Sequence, residues 1–381
     1  MQDKVQKMSP EIRFKGYTDA WVLRKLGDII NVNSGRDYKH LNKGDIPVYG
    51  TGGYMLSVDK FLSDKNAVGI GRKGTINKPY VLYAPFWTVD TLFYTIPKTE
   101  NDLFFISDIF QKINWLSKAE STGVPSLSKK TINNIKVYVP TFKEQQAIGL
   151  LLKKIDDLIA LQQRKIDNLK MLKKALLQQL FPEKGKDIPR VRFTDFTNRW
   201  KQRKLNNLYK SVNEKNDLTL TKDRIISVAK MQWGKALIES TDKYMRTYNV
   251  MRIGDIAFEG NKSKFFKYGR LVENTIGDGL ISHVFVVFRP LKKMNLSYWK
   301  YFIHDENIMH NVLRMSTTKA TMMTNLVTKD FLKQQIFVPN KSEQQKIGEL
   351  LDFLSSKIKL SEQELNNFEH SKKALLQKMF I

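Results

Sequence analysis

The chain has 381 residues, 41% of them apolar, which suits two domains with real cores better than one. Its 64 Lys and Arg against 38 Asp and Glu leave a formal charge of +26, a surplus that points to a polyanionic partner. The lack of cysteine excludes disulfide scaffolding, thiolate catalysis and Cys-ligated metal sites, and a polar start with no run of about 18 apolar residues predicts a soluble, cytoplasmic protein that does not enter a membrane.

The first motif is Pro10-Glu11-Ile12-Arg13-Phe14, followed by Thr18, Trp21 and Arg24-Lys25-Leu26. Residues 45–50, 67–70, 80–83, 91–95 and 135–139 have the short, β-branched and aromatic character of strands, and residues 103–115 predict a helix packed on them. Gly69-Ile70-Gly71-Arg72-Lys73-Gly74 satisfies the dinucleotide pattern, but that fold needs a helix to open at the third glycine. Here Thr75 to Pro79 bring a helix breaker and a strand instead, so the segment reads as a turn presenting Arg72 and Lys73. From Ile148, apolar residues recur at Leu152, Ile155, Ile159, Ile166, Leu169, Leu176 and Leu180, skipping only Gln162 and Lys173. That heptad seam predicts a helix that packs along its whole length on another helix. A linker with Pro182, Gly185 and Pro189 ends it.

The series then repeats. Pro189-Arg190-Val191-Arg192-Phe193, Thr197, Trp200 and Arg203-Lys204-Leu205 match the opening motif. Strands are predicted at 224–228, 255–258, 284–288 and 335–338, and one helix at 296–313. A second seam runs through Ile347, Leu351, Leu354, Ile358, Leu365, Phe368, Leu375 and Met379, skipping Ser361 and Lys372. Pro140 to Phe181 returns 199 positions on with 18 identities in 42 positions, the mark of an internal duplication. Residues 27–138 and 206–337 share little.

The resulting expectation is an α+β protein. Two mixed α/β domains, 1–140 and, with the linker, 183–338, alternate with long helices at 141–182 and 339–381, each about 55 Å long, in a pseudo-twofold duplication. An antiparallel coiled-coil pairing keeps Lys173 from facing Lys372. It sets Gln162 opposite Ser361 and lets each lysine reach the apolar start of the partner helix. Gly149 and Gly348 cost about 1 kcal/mol each inside a helix; close backbone approach and a frayed first turn both account for them.

No catalytic constellation is found. There is no P-loop; Asn77-Lys78-Pro79-Tyr80 departs from the Asn-Pro-Pro-Tyr of amino-methyltransferases; Asp37-Tyr38-Lys39 lacks the acidic partner of a nuclease; and the five histidines show no metal-ligand spacing. No metal or cofactor is expected. What remains are loops that combine cations, hydroxyls and glycine, the groups that neutralise phosphates and fix register on DNA. The candidates in the first half are Tyr54, Arg72, Lys73, Thr75, Asn77, Lys78, Ser121, Thr122, Ser126, Ser128, Lys129 and Lys130. In the second half they are Lys262, Ser263, Lys264, Lys267, Arg270, Arg314, Ser316, Thr317, Thr318, Lys319 and Thr321.

Several of these motifs resemble the specificity subunit of type I restriction-modification systems. They are Gly52-Gly53-Tyr54, Gly71-Arg72 with Gly74-Thr75, Val89-Asp90-Thr91, Ser128-Lys129 with Ile132, and Pro140 followed by Glu144-Gln145-Gln146-Ala147-Ile148. The second half repeats the ending as Ser316-Thr317, Val338-Pro339, Glu343-Gln344-Gln345 and Ile347. The resemblance implies a non-catalytic subunit for double-stranded DNA, in which each recognition domain reads one half of a split target. It implies that the helix pair acts as a ruler and docks two methyltransferase subunits, that nuclease-translocase subunits join, and that catalysis belongs to those partners. Leu177 and Leu376, each beside a seam leucine, are the docking candidates. The second segment lacks the Gly-Gly-Tyr and Gly-Arg-x-Gly patterns, so the two half-sites are expected to differ. The alternatives are a single-chain DNA methyltransferase or nuclease with unrecognised motifs, and a coiled-coil scaffold that ignores DNA. The charge weighs against the scaffold, because +21 of the +26 lies outside the two helix segments.

Overall fold

Two 38-residue helices, Phe142–Gln179 and Lys341–Lys378, follow the two seams. The computed structural model describes residues 9–121, 123–183, 185–234, 241–319 and 323–381, the side chain of Lys319 excepted. The chain divides into a first unit, 1–164 with 362–381, and a second, 165–361, so each long helix gives part of its length to each unit.

In the first unit the helices run antiparallel. Gln162 donates to Glu364 at 2.7 Å, and Lys372 pairs with Asp156 at 2.6 Å, so one helix advances as the other retreats. Ile148 and Leu152 share a core with Met379 and Phe380. In the second unit Leu176, near the end of the first helix, and Leu180 and Phe181, just beyond it, pack with Ile347 and Leu351 from the start of the second. Gln162 and Ser361 are both buried. The seam lysines differ from expectation. Lys372 bonds to Asp156 and to Gln111, and Lys173 lies 5.2 Å over the Tyr301 ring, because a partly desolvated ammonium needs an anion or a π face rather than an apolar neighbour.

The opening motif of each repeat becomes an arm that locks its unit to a long helix. Trp21 and Leu26 are buried, and Val22–Lys25 between them pairs antiparallel with Lys136–Val139, the strand that leads into the first helix. Trp200, Leu205 and Lys201–Lys204 repeat this against Gln335–Val338. Ile12 N–H donates to Lys378 O at 2.9 Å, and Val191 N–H, its counterpart, donates to Gln179 O at 3.0 Å. Arg13 forks onto Glu144 at 2.7 Å through both Nε and Nη2, and Arg192 onto Glu343 at 2.6 and 2.8 Å.

The repeated glutamines and glycines finish the joint. Gln145 accepts from Asp102 N–H and donates to Pro140 O, while Gln344 accepts from Trp299 Nε1 and donates to Pro339 O. A Cβ at Gly149 would lie 2.5 Å from Asp102 Oδ1, and one at Gly348 would lie 2.7 Å from the Ser297 carbonyl carbon. Close approach, not fraying, therefore accounts for both glycines, since the helices Leu103–Lys112 and Leu296–Phe302 begin against them.

Each unit carries one four-stranded antiparallel sheet. The order is Ile30–Ser34, Leu92–Pro97, Ala67–Gly71, Tyr80–Leu82 in the first and Tyr209–Val212, Val286–Pro290, Ile256–Glu259, Arg270–Glu273 in the second. The connectivity is the same although the sequences have diverged. The helix expected at 296–313 is two helices, Leu296–Phe302 and Glu306–Ser316, because Asp305 accepts from Ile308 N–H and caps a new start.

Within the second core, both carboxyl oxygens of Glu273 lack a hydrogen-bond partner among the described residues, as does the buried Tyr209 hydroxyl. Burial pushes the Glu273 carboxyl up to about 9, against the opposing pull of Lys300.

Two predictions follow from these contacts. Helix propensity alone favours Gly149→Ala by about 1 kcal/mol, yet the close approach should make it destabilising by about 1–3 kcal/mol in chemical denaturation; a stabilised variant would contradict the packing. For Glu273 the folded state keeps its proton while the unfolded chain ionises above about pH 4.3, so this group costs stability increasingly as pH rises towards about 9. Glu273→Gln should thus gain urea resistance over the parent more at about pH 8 than at about pH 5; a gain independent of pH would show that the carboxyl is not held protonated.

Candidate nucleic-acid interface

The candidate loops of the first unit meet at the end of the buried strand Ala67–Gly71. A Cβ on Gly71 would sit 2.1 Å from Thr75 O, so only glycine lets the chain fold back there. The turn closes at Gly74 with a φ of +86°. Arg72 N–H donates to Thr91 O, Leu127 N–H donates to Arg72 O at 2.9 Å, and Gly74 N–H donates to Pro125 O at 2.9 Å, while Lys73 and Ser126 form an antiparallel bridge. Two loops about 50 residues apart in sequence are thereby knitted into one edge, with Arg72, Lys73, Thr75, Ser121, Lys129 and Lys130 exposed on it. The Arg72 guanidinium lies 5.8 Å from the Phe93 ring centre.

Ser128 has a different duty. Its hydroxyl caps the helix Lys129–Asn134 by accepting from Thr131 N–H at 3.1 Å, and its own N–H donates to Glu120. Hydrogen bonds from Ser128 and Thr131 hold the Glu120 carboxyl below the usual range. Sequence reasoning missed Glu120, which lies eight residues before Ser128 with no motif to mark it.

Tyr54, 62% exposed, stands on the hairpin Lys43–Gly50 and Gly53–Val58, which Tyr80 ties to the main sheet by donating to Gly50 O at 2.6 Å. Asn77 and Lys78 are exposed and help line a cleft of about 570 Å³ whose wall includes Asp108 and Lys372. Burial drives the Asp108 carboxyl well above its ordinary range, opposed by Lys372.

The second unit builds the same joint from different residues. After the strand Ile256–Glu259, a Cβ on Gly260 would lie 2.2 Å from Thr324 O, and Thr324 N–H donates to Gly260 O at 2.9 Å. Asn261 bridges to Met323, and the Thr324 hydroxyl also donates to Tyr268 O at 3.1 Å. The loop carrying Lys262, Lys264 and Lys267 is so fastened to the hairpin of Thr317–Lys319 and Thr324–Leu326. Those three lysines, Arg314 and Thr318 are exposed.

Other candidates of this unit are occupied by the fold. Ser316 is buried and its hydroxyl donates to Val312 O, Thr317 donates to Leu313 O at 2.7 Å, and the Ser263 hydroxyl accepts from Phe265 and Phe266 N–H. Arg270 pairs with the buried carboxylate of Glu259 at 2.5 Å. A hydroxyl within reach of its own helix carbonyl bonds there, and an arginine beside a buried acid is held by it. Thr122 and Thr321 lie outside the described residues, as does the Lys319 side chain. Leu177 and Leu376 are half-buried, each packed against the core of its own unit. Among the described residues, no group of three or more His, Asp or Glu side chains could hold a metal ion, and no helix is long and apolar enough to cross a membrane.

This duplicated architecture has clear relatives. The chain belongs to the type I restriction-modification specificity family, because the profile of the type I restriction modification DNA specificity domain matches residues 18–171 and again 172–370. The type I restriction enzyme MjaVIII specificity subunit of Methanocaldococcus jannaschii is 22% identical over 296 residues, spanning 73% of this chain and 69% of that protein. The crystal structure of a type I restriction-modification S subunit from M. genitalium superposes with a TM-score of 0.64 at 14% identity, over 98% of this chain and 99% of that one.

Proposed function

We propose that each unit reads one half of a split double-stranded DNA target through the edge built around Gly71 or Gly260, and that the chain performs no catalysis of its own. Methylation and cleavage then fall to partner methyltransferase and nuclease-translocase subunits, and the length of the two helices sets the unread spacer. The observation that supports this reading is the twice-built joint. In both units backbone hydrogen bonds fasten the loop after the third sheet strand to a second loop, and exposed cations gather on the result. Arg72, Lys73, Lys129 and Lys130 in one unit and Lys262, Lys264 and Lys267 in the other are assigned to phosphates and base edges. Tyr54, Thr75, Asn77, Lys78, Ser121, Ser126, Arg314 and Thr318 are assigned to contacts around them. Ser128, Ser263, Arg270, Ser316 and Thr317 are assigned to holding the loops in shape.

The partner subunits are assigned to the long helices. Leu161 and Leu360, the same position in the two copies, are 57% and 49% exposed and suit this better than the half-covered Leu177 and Leu376.

The test of the reading is selection from random duplexes with the methyltransferase partner present, followed by affinity against salt. The logarithm of affinity should fall, for each tenfold rise in salt, by about 0.9 per phosphate neutralised. Arg72→Ala with Lys73→Ala should lower that slope and relax one half-site only; a flat salt response, or equal loss at both halves, counts against it. Leu161→Glu with Leu360→Glu should abolish co-purification with the methyltransferase while leaving the melting temperature unchanged; normal assembly would remove the helices' assigned role.

A further inference from the structure

The connection between Ile256–Glu259 and Arg270–Glu273 contains a closed turn at residues 263–266. Ser263 N–H donates to Phe266 O at 3.0 Å, and the Ser263 hydroxyl accepts from the N–H groups of Phe265 at 3.3 Å and Phe266 at 3.1 Å. This turn separates two neighbouring rings. Phe266 packs 5.1 Å from the His304 ring and 5.4 Å from the Arg270 guanidinium, whereas Phe265 is 75% exposed, more than any other large apolar side chain among the described residues.

A single exposed apolar side chain needs no explanation, but three features set this one apart. The turn is anchored, through Gly260 and Tyr268 to Thr324 and through Arg270 to Glu259. Residues 260–269 include Lys262, Lys264 and Lys267 and no acid. The corresponding connection of the first unit, 72–79, contains no aromatic residue. An apolar ring at the tip of an anchored loop whose charges are all basic matches a ligand that has an anionic exterior and an apolar stacked interior. Duplex DNA has that construction, and apolar wedges entering a base step unstack and kink it.

We propose that Phe265 inserts into a base step of the half-site read by the second unit, with the loop lysines on the flanking phosphates. The ring then selects for deformability, favouring an easily unstacked pyrimidine–purine step, and it acts at one half-site only. This rests on the DNA-reading role and adds to it a specificity-determining residue.

The test uses the full chain with its methyltransferase partner and duplexes recovered from random DNA by the parent protein. 2-Aminopurine is placed in turn through the half-site assigned to the second unit. With the parent protein, fluorescence should rise on binding at one step. Phe265→Ala should lose that rise and bind roughly 5- to 150-fold more weakly, the range of a lost base–aromatic stack, with an unchanged salt slope because no charge is removed. Phe265→Trp should restore both affinity and the fluorescence response. Undiminished affinity in Phe265→Ala, or a fluorescence rise that persists in it, overturns the proposal. So does a Phe265→Ala defect confined to assembly with the methyltransferase in the absence of DNA, which would place the ring in a protein interface. If the parent protein recovers no duplex, the DNA-reading role itself fails and this inference falls with it.

Discussion

A buried arginine–glutamate fork, made once in each unit, holds the rest of the molecule in register. Glu144 and Glu343 have no exposed side-chain surface, and each carboxylate survives burial because a guanidinium from the arm meets it with two hydrogen bonds. Desolvating such an ion costs several kcal/mol, and deleting one partner of a buried pair costs about 3–5 kcal/mol, so the arm and the helix start are bound to act as one piece. One turn further on, Gly149 and Gly348 let a recognition-domain helix begin in direct contact with the long helix, and Gln145 and Gln344 satisfy the groups between. The second copy adds Trp200, whose Nε1 donates to Glu343 at 3.2 Å, while Trp21 Nε1 has no partner among the described residues. The Glu-Gln-Gln-x-Ile-Gly motif is thus one mechanical joint written along a single helix turn and a half.

This joint explains how the recognition segments diverge without losing their frame. The sheet order is the same in both units, and the loops that follow the strands Ala67–Gly71 and Ile256–Glu259 are clamped by backbone hydrogen bonds, at Gly71 with Arg72, Gly74, Pro125 and Leu127, and at Gly260 with Thr324. Backbone donors and acceptors do not depend on side-chain identity. Side chains facing outward from the clamp can change at little cost to the fold. The glycines are constrained, because a Cβ at Gly71 or Gly260 would strike a carbonyl oxygen and Gly74 takes a positive φ.

The cations divide along the same line. Arg13, Arg192, Arg270 and Lys372 are held by carboxylates that the fold supplies, and they contribute to architecture. Arg72, Lys73, Lys129, Lys130, Lys264 and Lys267 stand exposed on the clamped loops and the helix beside them. Net charge therefore overstates the surface available to a polyanion, and the structure identifies which part of it faces solvent.

The duplication, both long helices and nine of the 21 strands among the described residues were legible because they rest on local, periodic signals: identities 199 residues apart, a seven-residue apolar repeat, short β-branched runs. The loops around Arg72 and Ser126 could also be chosen by composition. Their meeting could not, since a hydrogen bond from Gly74 N–H to Pro125 O leaves no trace in either residue's identity. Nor could the fate of the hydroxyls at Ser128, Ser263 and Ser316, which depends on whether a helix start, a tight turn or a helix carbonyl lies within reach. The single helix expected at 296–313 failed for a related reason, because an apolar period continued across Asp305 while its carboxylate capped a new start. Sequence alone determined the repeated architecture, since periodicity and duplication are properties of the chain. Tertiary structure decided which cations and rings remain outside, because burial and partnership depend on residues distant in sequence.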